Sequence, residues 1–244
     1  METLVIDIGN TLLSWRYRDG SGDLRFGTAS HQAISDALCD LPVADAIAIS
    51  SVQAAHEGEL KTWLERCGYS DPVWVRSGAD VSSTVLTDEP EKTGADRALN
   101  ALAWGALSEG RSAVIIDAGS AVTVDAVTAA GQLQGGWIAP GFHSLALGLR
   151  QATPSLPDPA EATPEGAWAS DSCSAIQGGL HTLFIGGVVA LHDRVLAGLG
   201  EDVTTVVTGG DASLLLDALP GAIHRPGLVL DGLEILLSGD REDA

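Results

Sequence analysis

The chain has 244 residues, enough for one large domain or two of about 120, each able to bury a core. Hydrophobic residues make up 45% and charged residues 19%, a globular composition that excludes a largely disordered chain. Acidic residues outnumber basic ones by 33 to 13, and the net charge of −20 speaks against a nucleic-acid-binding surface, which needs clustered Lys and Arg.

In chain order, the pattern predicts strands at 3–8, 11–18 and 24–28, a helix near 31–39 and a strand at 45–50. A helix near 56–67 and a strand at 72–76 follow, and the polar stretch 77–93 reads as a loop. An alanine-rich helix opens at Gly94 and runs towards Gly110. Strands at 112–117, 120–128 and 132–139 come next, with Gly135-Gly136 as a bulge or a point of close approach. The remainder reads as a helix near 142–151, a proline-rich loop at 153–167, a long helix at 172–197, a strand at 203–208 and a short helix after Asp211. An amphipathic helix at 227–238 and a frayed tail from Gly239 to Ala244 close the chain. Three strands followed by alternating helices and strands, appearing twice, describe a duplicated α/β domain with a cleft between the halves.

Asp7-Ile8-Gly9-Asn10-Thr11 follows the buried run Leu4-Val5-Ile6, and Asp117-Ala118-Gly119-Ser120-Ala121 echoes it after Ala113-Val114-Ile115-Ile116. In each, glycine is expected to supply positive φ and a close backbone approach, so that several N–H groups converge on a phosphate. Asn10, Thr11 and Ser120 add donors. Asp7 and Asp117 cannot ligate phosphate themselves, so a carboxylate there implies an intervening cation such as Mg²⁺ with its waters. An ordinary hairpin turn is the competing reading of one such motif, and the second copy weakens it.

The acidity reads as a solubility or salt-adaptation trait, and an anionic substrate would have to be met locally by backbone donors, cations and a few arginines. Cys39, Cys67 and Cys173 are widely spaced without a C-x-x-C, as suits a reduced, cytoplasmic protein. The histidines lack metal-ligand spacing, no signal peptide is expected at the start, and the apolar window Leu180 to Leu191 is expected to fall short of a membrane span.

The ordered set Asp7-Ile8-Gly9-Asn10-Thr11, Ile49-Ser50-Ser51-Val52, Gly94-Ala95-Asp96-Arg97, Asp117 to Asp125, Gly135 to Gly141 and Thr208-Gly209-Gly210 resembles the type III pantothenate kinases. These belong to the acetate and sugar kinase/Hsp70/actin superfamily. The resemblance covers nearly the whole chain. It implies two ribonuclease H-like, actin-like domains, each a mixed five-stranded sheet flanked by helices, with a cleft between them. Residues 1–110 would carry the first phosphate motif and the catalytic helix. Residues 111–244 would carry the second phosphate motif, the adenosine-side glycines and a dimer helix.

The activity so implied is transfer of the ATP γ-phosphoryl group to the primary hydroxyl of pantothenate, the first step of coenzyme A synthesis. A homodimer, Mg²⁺ and a monovalent cation (K⁺ or NH₄⁺) are implied with it. Asp96 would be the general base; without the resemblance it reads as an N-cap or first-turn acid. Arg97 could pair with the substrate carboxylate as a fork, or be an exposed helix arginine. Asp7 would hold Mg²⁺ through water and Asp117 the monovalent cation, against a plain turn aspartate. Residues Asp7, Ile8, Gly9, Asn10, Thr11, Leu12, Leu13 and Ser14 with Ser120, Gly209 and Gly210 would bind the nucleotide. Thr87, Gly94, Ala95, Asp96, Arg97 and Ser172 would line the pantothenate site.

Three departures fall on the acceptor side. Thr87 stands where the family commonly has tyrosine, Glu89 replaces a frequent asparagine, and Asp171-Ser172 replaces Asn-Thr. Two other readings stay open: a kinase of the same superfamily for another small hydroxylated acid or sugar, and a regulatory protein that binds ATP without turnover.

Overall fold

The computed structural model describes residues 1–52, 54–161, 163, 166–200 and 202–239. Its strands are β1 (Thr3–Ile8), β2 (Leu13–Arg18), β3 (Leu24–Ala29), β4 (Ala46–Ser51), β5 (Val73–Val75), β6 (Ser112–Ala118), β7 (Ala121–Val127), β8 (Leu133–Pro140), β9 (Val203–Thr208) and β10 (Ile223–His224). Its α-helices are α1 (Ile34–Ala37), α2 (Glu57–Cys67), α3 (Ala95–Leu107), α4 (Phe142–Ala152), α5 (Ser172–Leu199) and α6 (Leu228–Gly239). Two compact units result. One takes Met1–Ser112, Val127–Gly135 and the stretch from Gly227 on; the other takes Ala113–Ala126 and Gly136–Pro226.

In the first unit the sheet order is β3-β2-β1-β4-β5. Strand β1 lies at the centre, antiparallel to β2 and parallel to β4. Its Leu4, Val5, Ile6 and Ile8 are all buried, the continuous apolar run of a strand covered on both faces. Leu4, Ile6 and Ile8 meet Ile47 and Ile49 of β4 and Leu60, Trp63 and Leu64 of α2 in one core cluster. Helix α2 stops at Gly68, whose φ of 79° lets its N–H turn back onto the Glu65 carbonyl.

Helix α6 packs on β1, on β4 and along α3. The contact with α3 is close because Gly232 has no side chain: a Cβ there would lie 2.9 Å from the carbonyl carbon of Leu99. Arg16 and Arg18 of β2 add polar ties to α6, to Asp231 (2.5 Å) and Glu234 (2.8 Å) respectively. These contacts fix the helix that carries Asp96 to the sheet that carries Asp7.

In the second unit the order is β10-β9-β6-β7-β8. Val114, Ile116 and Ala118 of β6 pack with Val122 and Val124 of β7, Val207 of β9 and Phe184, Val188 and Val195 of α5. The link from β6 to β7 is so short that the chain can only reverse, giving an antiparallel hairpin, whereas β9 and β10 run parallel.

Several expectations change. The helix near 31–39 shrinks to Ile34–Ala37, flanked by turns. The loop at 77–93 contains 3-10 turns at Gly78–Thr84 and Pro90–Lys92, the first closed by a capping box between Ser77 and Asp80. Neither Gly9 nor Gly119 has positive φ, while Gly209 does, at 89°. Helix α5 is long and apolar enough to cross a membrane by length and composition, beyond the shorter window read from sequence. Its Phe184, Val188 and Val195 nevertheless serve the core of the second unit. Gly136 is a point of close approach as expected, since a Cβ there would stand 2.8 Å from the Asp125 Cα. The expected frayed tail lies outside the described residues beyond Gly239.

Candidate active site

Asp7 ends the central strand of the first unit, in register with Ser14 of β2 on one side and Ser50 of β4 on the other. The Ser50 hydroxyl donates to Asp7 Oδ1. Burial pushes the Asp7 carboxyl up to about 6; the Ser50 hydrogen bond opposes this and the charge of Asp96 adds to it. Two acids far apart in the sequence are thus close enough to feel each other.

The turn after β1 is closed by Gly9 N–H donating to the Leu12 carbonyl at 3.1 Å. Glycine is needed there for space, because a Cβ would sit 3.1 Å from that same oxygen. Asn10, Thr11 and Leu12 are exposed and Ser14 is half-buried, while the side chains of Ile8 and Leu13 are wholly buried. Those two can reach a ligand only through their backbone.

Gly94 is the N-cap of α3 and Asp96 lies in its first turn, where Asp96 Oδ1 accepts from the Arg97 N–H at 2.8 Å. Burial raises the Asp96 carboxyl above the usual range, against the lowering pull of the Arg97 amide and guanidinium. Gly94 leaves room for that carboxylate: a Cβ on Gly94 would collide with Asp96 Oδ1. Ala95 is wholly buried. Thr87 reaches the same helix start through its hydroxyl, 2.6 Å from that of Thr93. Glu89 pairs with Lys92 at 2.5 Å on the surface. The first unit therefore draws Asp7 with the Gly9–Leu12 turn, Ser50, Thr87 and the Gly94–Arg97 helix start from four separate stretches.

In the second unit, Asp117 and Ser120 flank the turn between β6 and β7, where Gly119 N–H donates to the Ala121 carbonyl at 3.0 Å. Two later segments grip this turn. Gly141 N–H (3.1 Å) and the Ser144 hydroxyl (2.6 Å) both donate to the Ser120 carbonyl, and Asp211 N–H donates to the Ala118 carbonyl at 2.9 Å. Gly209 runs so close that a Cβ would lie 2.6 Å from Asp117 Oδ1 and also strike the Ala118 backbone. Asp117, Ser120, Gly209 and Gly210 thus share one end of this sheet. Gly209→Ala is expected to cost about 2–4 kcal/mol, from strained φ and the backbone clash together, read as a lower denaturant midpoint.

Ser172 opens α5 from an exposed position. Its neighbour Asp171 is the N-cap, accepting from Ser174 N–H at 2.9 Å, which holds the Asp171 carboxyl below its usual range. Ser172 and Asp117 belong to different elements of the second unit, α5 and β6. A hollow between α4 and residues 153–159, lined by Leu147, Arg150, Leu156 and Ile176, contains none of the residues singled out from sequence.

Ser50, Ser144 and Asp211 were not anticipated as site residues. Ser50 was visible only as part of the Ile49 to Val52 strand end; its contact with Asp7 follows from the β1–β4 register. Asp211 is raised by burial, with His143 pulling it down.

A family model for type III pantothenate kinases matches residues 3–194. The type III pantothenate kinase of Dehalococcoides mccartyi (strain CBDB1) is 30% identical over 253 residues, spanning 96% of this chain and 94% of that protein. Among solved structures, a Baf family protein from Campylobacter jejuni aligns over 98% of this chain and 99% of its own, with a TM-score of 0.64 and 18% identity. The activator of the 2-hydroxyisocaproyl-CoA dehydratase from Clostridium difficile, solved with bound ADPNP, covers 100% of this chain and 96% of its own, with a TM-score of 0.58 and 14% identity. At such identities these structures speak to the fold alone, two mixed five-stranded sheets flanked by helices in the actin-like manner.

Proposed function

The chain belongs to the type III pantothenate kinase family, and from that premise we propose that it transfers the γ-phosphoryl group of ATP to the primary hydroxyl of pantothenate. The products are 4′-phosphopantothenate and ADP, and the reaction opens coenzyme A synthesis. The observation that carries this reading is the pairing in the first unit of Asp96, at the start of α3, with Asp7, at the end of β1.

Phosphoryl transfer asks a protein mainly to position donor and acceptor and to balance charge. Asp96 takes the hydroxyl proton as the acceptor oxygen attacks; its raised carboxyl makes it a better base than an ordinary surface aspartate. Arg97 meets the pantothenate carboxylate, with Thr87, Gly94, Ala95 and Ser172 shaping the acceptor site. The backbone of residues 7–14, above all Gly9, Asn10 and Thr11, holds the phosphates together with Ser120. Gly209 and Gly210 let the nucleotide lie against bare backbone.

Asp7 fits a cation. A carboxylate pushed up by burial and by a second acid is one that a positive charge would return to its ionised form. Among the described residues no three His, Cys, Asp or Glu side chains form a cage, so the donor set suits Mg²⁺ that keeps waters and nucleotide phosphates as ligands. Asp117 is the residue assigned to the monovalent cation, K⁺ or NH₄⁺, and Gly209, lacking a side chain, lets its backbone pass beside Asp117 Oδ1. These ions supply charge neutralisation when bound.

The test is ADP release with ATP and Mg²⁺, with and without pantothenate and with K⁺, NH₄⁺ or neither. Pantothenate-dependent release is expected. Release only with another hydroxylated acid or sugar would move the reading to a sister kinase, and no acceptor-dependent release would end it. The acceptor-side changes Thr87 and Ser172 make pantothenate KM the quantity to watch. Cytoplasmic location and a homodimer complete the reading. Helix α5 offers the dimer a face of Ala175, Gly179, Gly186, Gly187 and Ala190 around Leu183, which is 70% exposed. Leu183→Glu is expected to halve the mass measured by sedimentation.

A further inference from the structure

The turn after β1 is held by one member of a stacked pair of histidines that no part of the reaction above uses. Ala29 of β3, Leu13 of β2, Ile8 of β1 and Ser51 of β4 form one row across the sheet. The chain leaves β3 just beyond that row and reaches His31; it leaves β4 just beyond it and reaches His56 in the 3-10 turn Ala54–His56. The two imidazoles meet at that edge of the sheet, stacked with centroids 3.9 Å apart and planes 2° from parallel. Both are half-buried. His31 Nε2 lies 3.0 Å from the Gly9 carbonyl oxygen. A carbonyl only accepts, so Nε2 carries the hydrogen and donates.

We propose that His31 is a positioning residue for the nucleotide loop, with His56 as the flat backing that holds its ring. The inference rests on the assignment of residues 7–14 to nucleotide binding. In a trans peptide the carbonyl of one residue and the N–H of the next point in opposite directions. Tethering the Gly9 carbonyl to His31 therefore aims the Asn10 N–H away from the histidines, to the face the loop presents to phosphate. Glycine tolerates either orientation of the Gly9–Asn10 peptide, and the tether favours one of them. The Gly9 N–H to Leu12 contact closes the turn through the amide on the other side of Gly9. The stack matters because a lone half-buried imidazole could rotate about its side-chain bonds and lose the carbonyl, whereas one held against a second ring cannot.

The experiment is calorimetric titration of the full-length protein with ATP and Mg²⁺, paired with steady-state KM values for ATP and pantothenate. His31→Ala is expected to weaken ATP binding about tenfold and raise KM for ATP alike, leaving KM for pantothenate unchanged. His31→Gln, whose amide nitrogen can reach the same carbonyl, should recover most of the loss. His56→Phe, which keeps a flat ring, should bind as the parent does, and His56→Ala should fall between. Equal weakening of both substrates, or failure of His31→Gln to recover a folded protein's affinity, would overturn the tether. A parent protein that binds ATP normally but turns over no pantothenate would sink the kinase reading while leaving this test intact; one that binds no nucleotide would sink both.

Discussion

Replacing Asp96 by asparagine is expected to lower kcat by about 10²–10⁴-fold while the protein folds and binds ATP as before. The asparagine oxygen can still accept from the Arg97 N–H, a hydrogen bond that a purely structural first-turn acid would also make there. What is lost is the basic carboxylate. Burial raises that carboxyl, so the neutral replacement should not destabilise α3. A sharper version uses Gly94→Ala. The Gly94 φ of −59° and ψ of 140° suit alanine, so the backbone carries no strain. The new Cβ would land on Asp96 Oδ1, and the carboxylate must swing aside. A displacement of this size is expected to lower kcat by about a hundredfold, with little change in thermal midpoint. Unchanged kcat in Gly94→Ala would show that the carboxylate does not work from the position it holds here.

The order of elements was legible in the sequence because hydrophobic runs such as Leu4-Val5-Ile6 and Val114-Ile115-Ile116, with the alanine-rich Gly94 to Trp104 stretch, carry strong local signals. What stayed hidden is what depends on distant partners. The short strand Ile223–His224 exists only because β9 is beside it. The glycine rule was right in kind and wrong in place. Gly9 is required by the nearness of the Leu12 oxygen, and the positive φ sits at Gly209 instead, where the chain leaves β9 against Ala118. The motif acids could be picked out from the family signature, whereas Ser50, Ser144, Asp211 and His31 could not. Each is an unremarkable residue whose partner is set by strand register or by a loop returning from elsewhere. Glu89 and Asp171, two of the acceptor-side departures, have local duties with Lys92 and the start of α5.

Asp7→Asn should abolish turnover and, at neutral pH, make the protein more stable. The Asp7 carboxyl rises from 3.8 to about 6 in the folded chain, chiefly through burial. A group raised in this way favours folding below its unfolded value, near 4, and that contribution is lost as pH climbs through about 6. Above that the folded protein holds an ionised carboxylate in surroundings that disfavour it. The shift corresponds to at most about 3 kcal/mol, and to about 1–2 kcal/mol once the partial exposure of the side chain is allowed for. Asparagine can still accept from Ser50 and carries no charge at any pH. The gap in denaturant midpoint between Asp7→Asn and the parent should be widest above pH 6, close between 6 and 4, and vanish below 4. Removing the Ser50 donor works the other way: Ser50→Ala takes away the one contact that lowers the carboxyl, so the midpoint in pH should move up. Saturating ATP and Mg²⁺ should narrow the gap by stabilising the parent alone, since a bound cation favours the ionised form. A flat difference across pH, or an Asp7→Asn protein that keeps its activity, would remove Asp7 from the cation site and with it the charge balance on which the transfer depends.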